Sequence, residues 1–278
     1  MFTRAGASIF VPDGSAAVSA LARTTHLGIG AHADDLEIMA FHGISACYEH
    51  AERWFCGAVV TDGVGSPGRA STLDAASLRV VRQREQERAA SLGRYGAQVF
   101  LDYASHDVKD TSAASVVQDL AALLAAARPE VVYTHALSDS HDTHVAVALR
   151  VVAACRELPA AERPPCVLGC EVWRDLDWLT GPDKVALYTD DHLELQLELL
   201  RVFESQLASK AYDRAVLGRR AANAVFSESH QGDRHLGAVW AMDLTPLVAG
   251  STDPAQYARE LLVRLEDDVG ARIARLSG

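Results

Sequence analysis

Short apolar runs alternate along the chain with longer stretches in which apolar residues recur at helical spacing. His26-Leu27-Gly28-Ile29-Gly30-Ala31 is brief, apolar and followed by polar residues, as a buried strand requires. The pattern then predicts a helix over residues 36–51 and a strand over 55–60 closed by Thr61-Asp62-Gly63. The Gly/Ser/Pro-rich connection through Ala70 is long for a compact domain, and long connections tend to carry function. A charged helix over 75–92 stops at Gly93, a strand covers 98–101, a helix covers 112–127 ahead of Pro129, and a strand over 131–134 precedes a helix over 144–156. Strands alternating with helices imply right-handed βαβ units, hence a Rossmann-like three-layer α/β/α fold with a mostly parallel sheet.

Before this region lies an arm punctuated by Pro12, Asp13 and Gly14. After the break at 159–165 the alternation loosens, with strands expected at 167–173, 185–188 and 238–242 and helices at 193–208 and 254–276. We expect one domain over 1–278, in which residues from about 166 onward add strands and helices at one edge of the sheet.

The formal charge of −11, with no Lys/Arg-rich run, removes the clustered cations that a general nucleic-acid surface needs. Hydrophobic residues make up 49% and charged residues 23%, an ordinary globular balance. No stretch approaches the roughly 20 uninterrupted apolar residues that cross a bilayer. The first residues lack the cationic start and apolar run of a secretory signal. The expectation is a cytoplasmic, soluble protein with no membrane partner, and assembly into a homo-oligomer is left open. Five scattered cysteines fit reduced core thiols; Cys166 and Cys170 read as packing rather than as a metal pair, because no second pair lies near.

In an open parallel sheet, ligands bind beyond the carboxyl ends of the strands. At the end of the first parallel strand, Ala31-His32-Ala33-Asp34-Asp35-Leu36-Glu37 packs an imidazole and three carboxylates into one turn. Asp139-Ser140-His141-Asp142-Thr143-His144 follows the strand ending at Thr134, and His141 and His144 are three apart, on one side of a helix start. Imidazole nitrogen and carboxylate oxygen are zinc ligands, and a catalytic site leaves one position open for water. The bland reading of each cluster is an acidic helix N-terminus or a polar cap. Their coincidence favours a metal.

These two segments resemble the signatures of the PIG-L/LmbE-like family of zinc deacetylases, Ala-His-Pro-Asp-Asp-x-Glu and His-x-Asp-His. The resemblance extends over the first half of the chain, through Thr61-Asp62-Gly63, Arg84-Glu85, Leu92-Gly93 and Arg128-Pro129-Glu130-Val131-Val132. It implies an LmbE-like fold, one zinc ion per chain held by His32, Asp35 and His144, Asp34 as general base, and His141 steadying the transition state. Ala33 stands where the family has proline, and Thr143 where it has a carboxylate, so Asp139 or Asp142 is the candidate source of that charge. The implied activity is hydrolysis of a small N-acylated substrate, an amino sugar or related polar amine. Members act on N-acetylglucosaminyl-inositol compounds, thiol-cofactor precursors and glycosylated antibiotics, so natural-product or thiol-cofactor biosynthesis is the implied setting.

Glu37 is expected to support a backbone turn or a ligand imidazole from behind. Asp62 and Arg69, on the long connection, are candidate substrate contacts, and Arg84 and Glu85 are expected to pair on their helix. His135, like the other histidines outside the two signatures, reads as packing or surface; His230 and His235 are the first exceptions, because residues 229–234 are polar between two regular segments. Two competing classes remain in view. Gly28-Ile29-Gly30 after a first strand fits a dinucleotide fingerprint, although three carboxylates would face the pyrophosphate. A metal-dependent hydratase, or a ligand-binding protein on the same fold, is the other.

Overall fold

A computed structural model describes residues 1–65, 73–207, 211–227 and 234–278. In chain order its elements are β1 (Ser8–Phe10), α1 (Ala17–Ala22), β2 (His26–Gly30), α2 (Asp35–Met39), α3 (Phe41–Cys47), β3 (Phe55–Thr61), α4 (Ala75–Leu92), β4 (Ala97–Tyr103), α5 (Ser105–Lys109), α6 (Ala114–Ala127), β5 (Val131–His135) and α7 (Asp142–Glu157). There follow β6 (Cys166–Cys170), β7 (Lys184–Tyr188), α8 (Leu193–Arg201), α9 (Glu204–Leu207), α10 (Tyr212–Ser227), β8 (Ala238–Asp243), α11 (Thr245–Ala249) and α12 (Pro254–Leu276).

The strands form one sheet in the order β1-β4-β3-β2-β5-β6-β8-β7. The inner strands β4-β3-β2-β5-β6 are parallel, while β1, β8 and β7 pair antiparallel at the two sides. From β2 the chain steps through β3 and β4 to one side, and from β5 through β6 to the other. The order therefore reverses between β2 and β5, the point at which open α/β sheets bind their ligands. One apolar cluster packs α1, α6, α7 and α11 on one face, and a second packs α2, α3, α8 and part of α4 on the other. That makes three layers, as the alternating pattern predicted.

The glycines of β2 serve packing. A Cβ on Gly28 would lie 2.8 Å from the Phe55 ring, and one on Gly30 would lie 2.9 Å from the Asp35 Cβ. They let α2 approach the strand closely, so the dinucleotide reading of this segment is not needed.

Several expected elements are cut differently. The helix expected over 36–51 is two, broken at Ala40 (φ −111°), because Asp35 to Phe41 are all buried and no straight amphipathic helix buries every side. The helix expected over 193–208 breaks at Val202 and Phe203, both buried. The Glu85 carboxylate, expected to pair with Arg84, instead accepts from the Ser205 N–H (2.8 Å) and hydroxyl (2.6 Å) at that break. The sequence pattern missed α10 because its inward positions include Arg220 and Asn223, polar groups spent on interior hydrogen bonds. It also missed β1, three residues at a sheet edge. Cys166 and Cys170 are unpaired thiols of β6 that burial pushes up in pKa. Among the described residues, no helix is long and apolar enough to cross a membrane.

Candidate metal centre

Both signatures arrive at the reversal point. β2 ends at Gly30, and the turn His32-Ala33-Asp34 feeds α2, with Asp34 in the left-handed region (φ 88°). This conformation is uncommon for a side-chain-bearing residue, and Asp and Asn tolerate it best. β5 ends at His135, and the loop after it delivers His141 as the cap of α7, with His144 in its first turn.

The His32 Nδ1 and His144 Nε2 atoms lie 3.2 Å apart. Asp35 completes a triangle, with one oxygen 3.4 Å from His32 Nδ1 and the other 3.4 Å from His144 Nε2. Four ligands at about 2.0–2.1 Å around a tetrahedral ion sit about 3.3–3.4 Å from one another. The two Asp35 contacts are made by different oxygens, and one ligand atom from each of His32, Asp35 and His144 lies within 4.8 Å of the other two, near that spacing and the only such group among the described residues. A cation between the two imidazole nitrogens and the carboxylate would take the lone pairs they offer, in place of the ring-to-ring hydrogen bond that the metal-free pair can make. His144 is fully buried, and burial holds its pKa down to about 4, leaving the neutral form that binds metal. Burial pushes Asp35 up, but the His144 and His135 imidazoles and its hydrogen bonds outweigh that and hold it well below the ordinary carboxylate range.

Asp139 supplies the charge that Thr143 lacks, but to a different imidazole. Its carboxylate lies 3.5 Å from His144 Nδ1 and accepts from the His141 N–H (2.8 Å) and the Trp173 N–H (3.1 Å). A carboxylate behind a ligand imidazole fixes its ring and tautomer. Asp142 is exposed. The Thr143 N–H donates to His141 Nδ1 at 3.3 Å, so Nε2 carries the proton of the neutral ring. Burial and the neighbouring His32 lower the His141 pKa.

Asp34 is also buried but stands outside the triangle, in an environment that opposes its charge. Burial first, then the Asp35 and Glu37 carboxylates, raise its pKa well above the usual range, against the pull of Tyr212 and Gln206. Glu37 touches no ligand imidazole. Its Oε1 accepts from Tyr95 (2.7 Å) and Gln86 (2.8 Å), and the Gln86 Oε1 in turn accepts from the Asp34 N–H at 3.3 Å. Glu37 thus supports the turn that bears Asp34 through Gln86, and burial pushes its carboxyl up to about 7.

The structure adds residues that sequence reasoning passed over. His135 is fully buried, stacks on His144 with ring centroids 3.9 Å apart, accepts the Ala31 N–H at 2.9 Å and lies 3.2 Å from Asp35. Its place at the very end of β5 was the available signal. Arg82 is buried, donates to the Gly63 carbonyl, and lines a cleft with Ala33, Asp62 and Gly63. Asp62 accepts from the Val64 N–H at 3.0 Å. Arg69 and His230 lie outside the described residues.

Residues 27–155 match the PIG-L family, described as GlcNAc-PI de-N-acetylase. They form a PIG-L domain. No curated protein matches in sequence. Among solved structures, the chain is similar to an N,N'-diacetylchitobiose deacetylase from Pyrococcus horikoshii complexed with its inhibitor MPG, at 18% identity and a TM-score of 0.63, covering 84% of this chain and 88% of that one. It is similar also to GalB, the 4-carboxy-2-hydroxymuconate hydratase from Pseudomonas putida (17%, 0.59, 83% and 98%), and to a pseudoaglycone deacetylase for an antimicrobial reagent (16%, 0.59, 80% and 97%). At these identities the likeness shows the fold. The PIG-L domain contains both signatures and the reversal point between β2 and β5.

Proposed function

We propose that this protein is a metal-dependent amidohydrolase that removes an N-acetyl group from an amino sugar or related small polar amine. The observation that carries the reading is the division between two adjacent buried carboxylates. Asp35 closes the triangle with His32 and His144, and Asp34 stays outside it with a raised pKa. His32, Asp35 and His144 would hold one zinc ion, which when bound polarises an amide carbonyl and brings the pKa of water near 7. Asp34, more basic than an ordinary aspartate, accepts the proton of the attacking water and passes it to the departing amine. His141 donates from Nε2 to the oxygen that becomes anionic, a contribution of roughly 3 kcal/mol for one well-placed donor. Water adds to the carbonyl carbon, the C–N bond breaks, and acetate and a free amine leave. Asp62 and Arg69 are proposed substrate contacts, and the cytoplasm is the proposed compartment.

The likeness to a hydratase motivates a second reading, metal-dependent addition of water to a C=C bond. One experiment separates them. Protein stripped with chelator and reloaded with zinc is assayed for acetate release over a panel of N-acetylated amino sugars, and for hydration of an unsaturated hydroxy-diacid by loss of ultraviolet absorbance. Metal-dependent acetate release supports the proposal; hydration without acetate release replaces it.

A further inference from the structure

α12 begins packed and ends bare. Its start is fastened by the Asp253 carboxylate, which accepts from the Ala255 and Gln256 N–H groups at 3.0 and 3.1 Å, by the Tyr257 hydroxyl donating to the Asp243 carbonyl at 2.5 Å, and by buried Leu261. Arg264 then pairs with Asp183. From Glu266 onward every residue is exposed, and Leu262, Val269, Ile273 and Leu276 are 53%, 44%, 59% and 76% accessible. A helix end that only projected into water would have no reason to keep apolar residues in a row.

Leu262, Leu265, Val269, Ile273 and Leu276 follow one another at spacings of three, four, four and three residues. At 3.6 residues per turn they fall within an arc of about 80°, the narrow seam of a helix pair rather than the wider stripe that faces a core. The spacing reads the same in both directions about Val269. In an antiparallel pair of identical helices, Val269 meets Val269, Leu265 meets the partner's Ile273, and Leu262 meets the partner's Leu276.

Charge selects the same arrangement. Asp268 and Arg272 share one flank of the seam and are bonded at 2.9 Å within the helix, and Glu266 lies on the other flank. Antiparallel pairing sets the first flank against itself, so each Asp268 approaches the partner's Arg272 and four charges alternate. Parallel, in-register pairing sets the two flanks against each other and brings Asp268 beside the partner's Glu266. A membrane surface fits poorly: interfacial helices carry a Lys/Arg-rich polar face, whereas here Glu266, Asp267 and Asp268 precede Arg272 and Arg275 in a chain of charge −11.

We propose that α12 beyond Leu261 is a self-association surface that pairs antiparallel with the same helix of a second copy. The seam spans about 22 Å at 1.5 Å per residue, a small interface, so a dissociation constant on the order of 10 µM is expected.

Sedimentation of the full chain from about 1 to 200 µM, bracketing that constant, should show a reversible monomer–dimer equilibrium. Val269→Glu places two carboxylates face to face at the centre and should weaken dimerisation at least about tenfold, roughly 1.4 kcal/mol, while Tm and turnover stay as in the parent. Asp268→Arg and Arg272→Asp should each weaken it, and the double reversal should restore it. Under mild oxidation, Leu262→Cys mixed with Leu276→Cys should cross-link, and Leu262→Cys alone should not. A chain monomeric throughout, a dimer indifferent to Val269→Glu, singly reversed charges without effect, or efficient cross-linking of Leu262→Cys alone would overturn the proposal. So would co-sedimentation with anionic vesicles in place of self-association.

Discussion

Replacing Asp34 by Asn, and separately Asp35 by Ala, tests whether two neighbouring carboxylates do different work. Asn keeps the volume of Asp34 and tolerates its φ of 88°, so the turn survives and the three triangle residues are untouched. Metal content should therefore match the parent. The proton acceptor is lost, and general-base transfer is commonly worth 10²–10⁴-fold or so, about 3–5 kcal/mol at the transition state, so kcat should fall by that factor with KM little changed. Burial and the Asp35 and Glu37 carboxylates raise the Asp34 pKa, which means that its charge opposes folding. The metal-free Asn variant should accordingly melt at a higher temperature than the metal-free parent at neutral pH. Asp35→Ala removes one corner of the 3.2–3.4 Å triangle and the acceptor of the His32 N–H at 2.7 Å. One buried N–H left unsatisfied costs about 1–3 kcal/mol, so this variant should lose metal, activity and thermal stability together and regain part of its activity at high zinc. Elemental analysis, acetate release and calorimetry on both variants supply the readouts. Loss of metal from Asp34→Asn with retention in Asp35→Ala would reverse the roles, and near-normal turnover in Asp34→Asn would refute the reasoning.

Asp139→Asn removes the anion behind His144 Nδ1 while keeping its shape, and zinc affinity, read by competition with a chromogenic chelator, should fall about 10–100-fold. Burial, with His42 and Arg53 nearby, holds the buried His26 imidazole down to about 4, below its ordinary 6.5. The unfolded chain therefore binds the extra proton between these values, so stability is intact above about pH 6.5 and falls by roughly 2 kcal/mol as pH drops toward 4, discounted for partial solvent access. Urea titrations at pH 7.5 and 4.5 should show a smaller difference for His26→Leu than for the parent. We also propose that residues 1–278 fold as one unit, because β6 pairs with β5 and α10 reaches α2. Limited proteolysis should yield no stable folded fragment ending near Arg163.

The sequence made the parallel half of the sheet legible because each strand there is an uninterrupted apolar run between helices of recognisable period. It exposed the two signatures because four imidazole or carboxylate groups in one turn are hard to explain as packing. What stayed hidden was polar and long-range. Arg220, Asn223, Gln86 and Gln206 are interior residues whose partners lie 15 to 183 positions away, so no local pattern marks them. His135 looked like a packing histidine because its place beside the candidate centre comes from stacking against a residue nine positions on. Asp139 or Asp142 is expected from the sequence to supply charge to the His141 ring, but Asp139 lies against the His144 ring and meets His141 only at its backbone N–H, an arrangement that no local spacing marks.

The turn that bears Asp34 is gripped from outside the PIG-L domain. The Gln206 amide donates to the Ala33 carbonyl at 2.5 Å, and one nitrogen of Arg220 donates to the Glu37 and Ile38 carbonyls at 2.8 Å each, so both ends of the signature are tied to α9 and α10. These donors meet backbone carbonyls, which every residue possesses, so the signature can remain unchanged while the segment holding it drifts freely in sequence. Relatives can then diverge almost completely in their last third and still retain the grip, provided some donor reaches the same two places. A chimera that joins this PIG-L domain to the C-terminal third of another protein of this fold would have to inherit that grip along with whatever new specificity it was meant to acquire. Where the transplanted donors miss, the loss would surface as a slackened Asp34 turn, in residues that the swap never touched.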